Sequence, residues 1–296
     1  MSIVKSLSVG DGDMFYIKHD ADSFTIIDSC MSEDDRNRIV NELNSESKNK
    51  GLTRFISTHP DDDHFRGLAY LNQNMPIRNF YCVENEATKE DETDDFDQYC
   101  ALRDDTAKAF YIFRECSRKW LNTTSEERGS AGINILWPIT SNGDHKDALT
   151  KAKEGKSFNN ISPIVKYSLD GGTTILWMGD LEADFMEKIK DQIRMVAADI
   201  LFAPHHGRAT GKVPADWLEE MNPKIVIIGE APSGDLNYYE AYNTITQNSA
   251  RDITLECVSG KTHIYVSNEN YSVDFLDDEH IPARYGKYIG TLKVKE

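Results

Sequence analysis

The chain has 296 residues and a formal net charge of −17, from 33 Lys and Arg against 50 Asp and Glu. Hydrophobic residues are 39% and charged ones 28%, a balance that excludes a disordered or membrane-embedded chain. The acidity excludes a protein that coats nucleic acid through a general basic footprint, but leaves room for a local basic cleft.

The greasiest runs, residues 174–178 and 225–228, have strand length, and residues 1–10 lack a signal-peptide pattern. Five cysteines (Cys30, Cys82, Cys100, Cys116, Cys257) contain no CxxC pair and read as reduced, buried thiols. The expectation is a cytoplasmic protein that does not engage a membrane.

In chain order, residues 3–9, 14–18 and 23–27 read as three strands, the first two joined by Gly10-Asp11-Gly12-Asp13 and the third ending at Asp28. Residues 33–48 read as a helix with Ile39, Val40 and Leu43 on one face, closed by Gly51. A short buried strand over 54–57 runs into Thr58-His59-Pro60-Asp61-Asp62-Asp63-His64. Strand, helix, strand and polar loop is an α/β pattern.

Residues 84–97 hold eight acids and a single base, Lys89. They read as a solvated loop or, alternatively, an electrostatic docking element for a protein partner. Residues 96–121 are expected to form one long helix with a broad apolar face. The chain is taken as a single domain, 1–296, with 84–128 inserted and packed upon it. Strands are expected at 133–137, in a hairpin of 161–169 and 173–178 around Asp170-Gly171-Gly172, and at 199–202 and 224–228. Helices are expected at 216–221 and 238–247, and strands at 253–258, 263–266 and 271–275. Residues 284–296, with Arg284, Lys287, Lys293 and Lys295, read as a loosely docked basic tail.

The residues from His59 to His64 supply two imidazoles and three carboxylates directly after a buried strand. Burying them unpaired would cost several kcal/mol each by typical transfer energies, so they form a site or a solvated loop. Their spacing lets His59, Asp61, Asp63 and His64 converge on one or two cations. Asp28, Gly179-Asp180-Leu181-Glu182 and His205-His206-Gly207 likewise follow strand ends, where α/β proteins place their sites.

These residues resemble the metallo-β-lactamase-fold superfamily, whose His-x-His-x-Asp-His signature appears here with Asp61 in the place of the middle histidine. The variant is most similar to the metallo-β-lactamase-like domain of the ComEC competence proteins. Val9-Gly10-Asp11-Gly12-Asp13, Ile26-Ile27-Asp28, Ser57 through His64, Met178 through Glu182 and Ala203 through Gly207 follow the order of that family. The resemblance implies an α/β (α+β) fold, a four-layer αββα sandwich with a metal site at one edge. It implies that His59, Asp61, Asp63, His64, Asp180 and His205, or its neighbour His206, are metal ligands, Asp180 bridging two cations. Asp13 and Asp28 would orient ligating imidazoles, with His206 in the same supporting role if His205 is the ligand.

The family's third histidine has no counterpart; Asn160 and Ser162 are the polar residues at that point, and His145 is too far upstream. An oxygen-rich donor set of this kind favours manganese or magnesium more than an all-histidine site does, with zinc also compatible. One or two divalent ions per chain are therefore expected as cofactors.

The implied chemistry is hydrolysis by metal-activated hydroxide, with Asp63, Asp180 and His64 in catalytic roles. Hard oxygen-rich sites suit phosphoryl oxygens, so the expected substrate is a small nucleotide or short nucleic acid. Arg208, Lys212 and Lys261 are candidate phosphate contacts, and Tyr238 a candidate base-stacking group. Two other readings are a metallohydrolase of a lactone, thioester or amide, and a binding module that keeps the fold without turnover.

Overall fold

The computed structural model describes residues 1–232, 234 and 236–294. At the N-terminus β1 (Ser2–Ser6), β2 (Phe15–Lys18) and β3 (Ser23–Ile27) form an antiparallel meander. The two-residue β4 (Ser29–Cys30) precedes α1 (Arg36–Glu46), and the chain returns as β5 (Leu52–Ile56), parallel to β3. Then α2 (Asp62–Phe65) and α3 (Leu68–Asn74) lead to β6 (Phe80–Cys82), and α4 (Asp94–Asp104) leads to β7 (Ala109–Tyr111). Both strands join in parallel at the same edge, as crossovers through helices allow.

A second sheet begins with β8 (Ile133–Trp137), α5 (Gly143–Lys153) and the hairpin of β9 (Ile164–Ser168) and β10 (Thr174–Trp177). It continues through α6 (Ala183–Ile189), β11 (Ile200–Phe202), α7 (Ala215–Met221), β12 (Ile225–Ile228) and β13 (Thr244–Thr246). After α8 (Gln247–Ala250) the chain rejoins the first sheet as β14 (Ile253–Val258), β15 (Lys261–Val266) and β16 (Lys287–Lys293). Among the described residues the sheets have nine and six strands, in the orders β16-β15-β14-β1-β2-β3-β5-β6-β7 and β13-β12-β11-β10-β9-β8.

The apolar residues sort into three layers of core. Phe15, Ile17, Ile27 and Ile56 of the first sheet pack against Val165, Trp177, Phe202 and Ile227 of the second. Ile39, Val40, Leu43, Leu68, Leu71, Phe96 and Leu102 bury α1, α3 and α4 on the outer face of the first sheet. Ala148, Ala152, Met186, Ile189, Trp217 and Met221 bury α5, α6 and α7 on the outer face of the second. The architecture is therefore the four-layer αββα sandwich. Each fully buried aliphatic or aromatic side chain contributes about 1.5–3 kcal/mol by area removed from water.

Several expected elements differ. The helix expected over 96–121 stops at Asp104, because the Asp105 carboxylate accepts the Ala107 N–H at 3.0 Å and turns the chain. The apolar residues beyond serve an edge strand, so the 84–128 segment is partly woven into the sheet rather than only packed upon it. The helix expected over 238–247 does not form, and α8 begins only at Gln247: the alternation of Thr244, Ile245 and Thr246 fits a strand beside β12. Residues 271–275 form no strand, since β16 takes that edge of β15 while Tyr271 and Phe275 pack from a loop.

The basic segment 284–294 is docked, with Leu292 and Val294 buried and Lys293 paired with Asp277 at 2.8 Å. Lys295 lies outside the described residues. Four cysteines are buried and Cys100 is half-buried, all as free thiols. Among the described residues, no helix is long and apolar enough to cross a membrane.

Candidate metal centre

Five segments meet where the strands of both sheets end. Asp28 follows β3, His59 and His64 follow β5, Asp180 follows β10, and His205-His206 follows β11. Asp13, from the β1–β2 turn, completes the group, with its N–H bonded to the Asp63 carbonyl at 3.1 Å. That approach requires Gly12, since a Cβ there would lie 2.5 Å from the Asp63 carbonyl oxygen. Gly179, at φ +49°, plays the same part beside Asp180; a Cβ would lie 2.7 Å from the Ser162 hydroxyl.

Four imidazoles turn Nε2 toward one carboxylate. His64 Nε2 lies 3.1 Å from Asp180 Oδ1, while His206, His205 and His59 Nε2 lie 3.6, 3.8 and 3.9 Å from Asp180 Oδ2. Each Nδ1 is held from behind: His64 by Asp28 at 2.9 Å, His206 by Asp13 at 3.3 Å and His205 by Thr210 at 2.9 Å. His59 Nδ1 meets two hydroxyls, Thr58 at 3.1 Å and Ser162 at 3.2 Å. Such outer partners fix tautomer and ring direction and turn Nε2 toward the centre, where His206 Nε2 also meets Asp63 Oδ2 at 3.3 Å.

His205 and His206 both reach Asp180 because both adopt left-handed backbone, at φ 51° and 55°. For residues other than glycine this conformation costs about 1–3 kcal/mol and is held by its surroundings.

The donor set has the chemistry of a cation site. His59 Nε2, His64 Nε2 and Asp180 Oδ1 are buried with no hydrogen-bond partner. His64 Nε2 and Asp180 Oδ1 are close yet misaligned for a hydrogen bond with each other. Lone pairs pointing at shared space satisfy a cation where they would otherwise be an unfavourable burial. Two overlapping groups lie within ligating distance: Asp13, His64, Asp180 and His206, and His59, Asp63 and His64.

The electrostatics agree. Burial opposes ionisation of Asp180 and Asp63, yet the neighbouring His64 and His206 hold both carboxyls below the usual range. Burial alone would depress His206, but Asp13 and Asp180 push it up to about 10. His64 is raised in the same way, against its burial, by Asp180 and Asp28. Burial, with His64 alongside, lowers His59 to about 3. Burial pushes the Asp28 carboxyl up, offset in part by its bonds to His64 and Thr58.

No protein-family model matches this chain, and no curated protein does. Among solved structures it is similar to Igni18, described as a novel metallo hydrolase from the hyperthermophilic archaeon Ignicoccus hospitalis KIN4/I. The identity is 16% and the TM-score 0.46, over 86% of this chain and 99% of that one.

Of the residues expected at the site, His59, Asp63, His64, Asp180 and His205 are brought together. His206 was expected behind the ligands if His205 ligates; it faces Asp180 as the other three imidazoles do, nearer than His205. Asp61 is a correction: its carboxylate caps α2 by accepting the Asp62 N–H at 3.1 Å and faces Lys89 at 3.3 Å. It belongs to neither ligating group.

Asp13 stands behind His206 and Asp28 behind His64, while Ser162 joins His59 to the Asp180 N–H. Asn160 instead braces Glu182, through bonds of 2.6 and 3.1 Å.

The expected substrate contacts divide. Arg208 is half-buried at the rim, 3.8 Å from Asp11, and Lys212 is exposed nearby. Lys261 is not at the site. It adjoins Gly260, which bonds Gly171 in the β9–β10 turn, the end of β10 opposite Asp180, and it pairs with Glu279 at 2.8 Å. Tyr238 packs against the outer helical core, and Tyr239 beside it is buried, bonding Val213 N at 3.3 Å.

Sequence reasoning missed Thr58, whose hydroxyl bonds Asp28 at 2.6 Å and touches both motif histidines. A hydroxyl in the residue before the first motif histidine was the available signal. It also missed Lys89 as a neighbour of the motif.

Proposed function

We propose that this protein is a metal-dependent hydrolase of phosphodiester bonds in small nucleotides or short nucleic acids. The observation that carries the reading is the convergence of four Nε2 atoms on the buried carboxylate of Asp180, three of the facing donor atoms having no partner within the protein. His64, His206, Asp63 and Asp180 would hold a divalent cation, and His59 would face it across Asp180. A cation there supplies positive charge that polarises a phosphoryl oxygen and lowers the pKa of water toward neutrality.

The protein's own groups do the rest. Asp63 is the more open of the two central carboxylates, its side chain 25% exposed against 3% for Asp180. It can orient the attacking water and accept its proton. The water oxygen forms the new bond to phosphorus, the phosphorus–alkoxide bond breaks, and the proton passes to the departing oxygen. Arg208 and Lys212 are the rim cations available to a phosphate. The two carboxylates among the donors, Asp63 and Asp180, suit a hard cation, which supports phosphoryl oxygen over a lactam or thioester carbonyl.

The test is a substrate panel. With manganese, magnesium or zinc, the protein should cleave an aryl phosphodiester, a cyclic nucleotide or a short oligonucleotide, and Asp63→Asn should lower the rate by about 10²–10⁴. Cleavage of a lactone, thioester or amide alone would replace this reading with that of another hydrolase. Metal binding without turnover on any of them would leave a binding module.

A further inference from the structure

Lys89 is the one base in the acidic stretch 84–97, and the fold delivers it to the signature loop. Its ammonium pairs with Asp61 at 3.3 Å and Asp62 at 2.8 Å. The same group lies over the rings of Phe65, Phe158 and Phe96, at 4.8, 5.2 and 5.9 Å from their centroids. Only 12% of the side chain is exposed. Those rings come from α2, the segment before β9 and α4, so the lysine is fixed from three sides. The aromatic faces desolvate and hold the ammonium, while the Asp61 and Asp62 carboxylates that it meets are 40% and 62% exposed.

We infer that Lys89 limits the centre to a single divalent cation. This rests on the metal-centre reading above. Asp61 is the residue whose spacing in the signature would supply a second cation with its own carboxylate. Its Oδ1 is committed to the α2 N-terminus and to Lys89, which leaves the His59 side with His59 as its own donor beside Asp63 and His64, both shared with the first ion. The hydroxyl of Ser162, where a further imidazole would be needed, is itself engaged by His59 and the Asp180 N–H. At the first position His64 Nε2 and Asp180 Oδ1 have no hydrogen-bond partner, and His206 Nε2 and Asp63 Oδ2, 3.3 Å apart, engage each other rather than a group outside the site. The ammonium is balanced by two carboxylates, so Lys89 acts on the loop and is not a free receptor for substrate phosphate.

The experiment counts manganese by elemental analysis after dialysis of the full-length protein, with circular dichroism as the check on folding. The wild type should hold one ion per chain. Asp61→Asn keeps the helix cap and should also hold one ion, with unchanged affinity. Lys89→Met keeps the packed stem, frees Asp61, and should gain a second ion that the Asp61→Asn/Lys89→Met double variant loses. Two ions in the wild type, falling to one in Asp61→Asn, would overturn the inference while leaving the metal centre intact. A folded Lys89→Met that stays at one ion would overturn it as well. No ion in the wild type would instead remove the metal-centre reading beneath it. If Lys89→Met fails to fold, the wild type and Asp61→Asn still decide.

Discussion

Ser162 shows how much a single hydroxyl carries here. It is fully buried, accepts the Asp180 N–H at 3.2 Å and meets His59 Nδ1 at the same distance. Ser162→Ala should weaken manganese binding by about 10–100-fold, the usual effect of losing an outer partner of a ligand, as read by calorimetric titration. Thr58→Val keeps the side-chain volume but removes the 2.6 Å bond to Asp28, and should act in the same direction through His64. The candidate site residues were legible because His59, Asp63, His64 and Asp180 sit at strand ends, where burying them without purpose is too costly. Their directions were not. Whether His205 or His206 faces Asp180 depends on two left-handed backbone conformations, and Asp61 turns away because it caps a helix. Residue spacing encodes neither.

Helix ends account for a share of the acidity in 84–97, which reads from sequence as a solvated loop or, alternatively, a docking element. Asp95, in the first turn of α4, accepts the Gly67 and Ala69 N–H groups at 2.7 and 2.8 Å and so caps α3. Asp95→Ala should lower unfolding free energy by about 0.5–2 kcal/mol, seen in denaturant melts, while manganese content stays unchanged. α5 offers a pH test remote from the metal centre. His145 is 2% exposed against Trp137, its Nδ1 has no partner, and burial lowers it to about 4.

The unfolded chain takes up that proton near pH 6.5, before the folded one does, so unfolding is favoured as pH falls from 6.5 toward 4. The loss attributable to His145 should reach about 3 kcal/mol, at 1.4 kcal/mol per pH unit. His145→Leu should flatten that part of the pH–stability curve; an unchanged slope would show that the imidazole takes up its proton in the folded state. Elements with a clear period, such as α1 and the β9–β10 hairpin, were readable in advance. β7, β13 and β16 were not, because partners distant in sequence decided that those short apolar segments pair as strands.

For the whole molecule, order along the chain was the most informative property. Strand ends bearing acids and histidines, in that order, carry the family resemblance, and the resemblance implied a four-layer sandwich with its site at one edge. The net charge of −17 was less informative, since the acids divide among the site, helix caps and the solvated surface. It still bears on substrate size. Long DNA must find a local cationic rim around Arg208 and Lys212 against the global field. Its cleavage should therefore fall steeply between 50 and 200 mM salt, roughly the range over which counterion release dominates binding. Cleavage of a small nucleotide should change much less, and equal salt slopes would remove the preference for small substrates.

The most direct test of the account is anomalous diffraction from crystals grown with manganese. It predicts a peak within about 2.0–2.3 Å of His64 Nε2, His206 Nε2 and an oxygen of Asp180. Crystals with no peak among these residues, or with manganese bound only elsewhere on the chain, would contradict it.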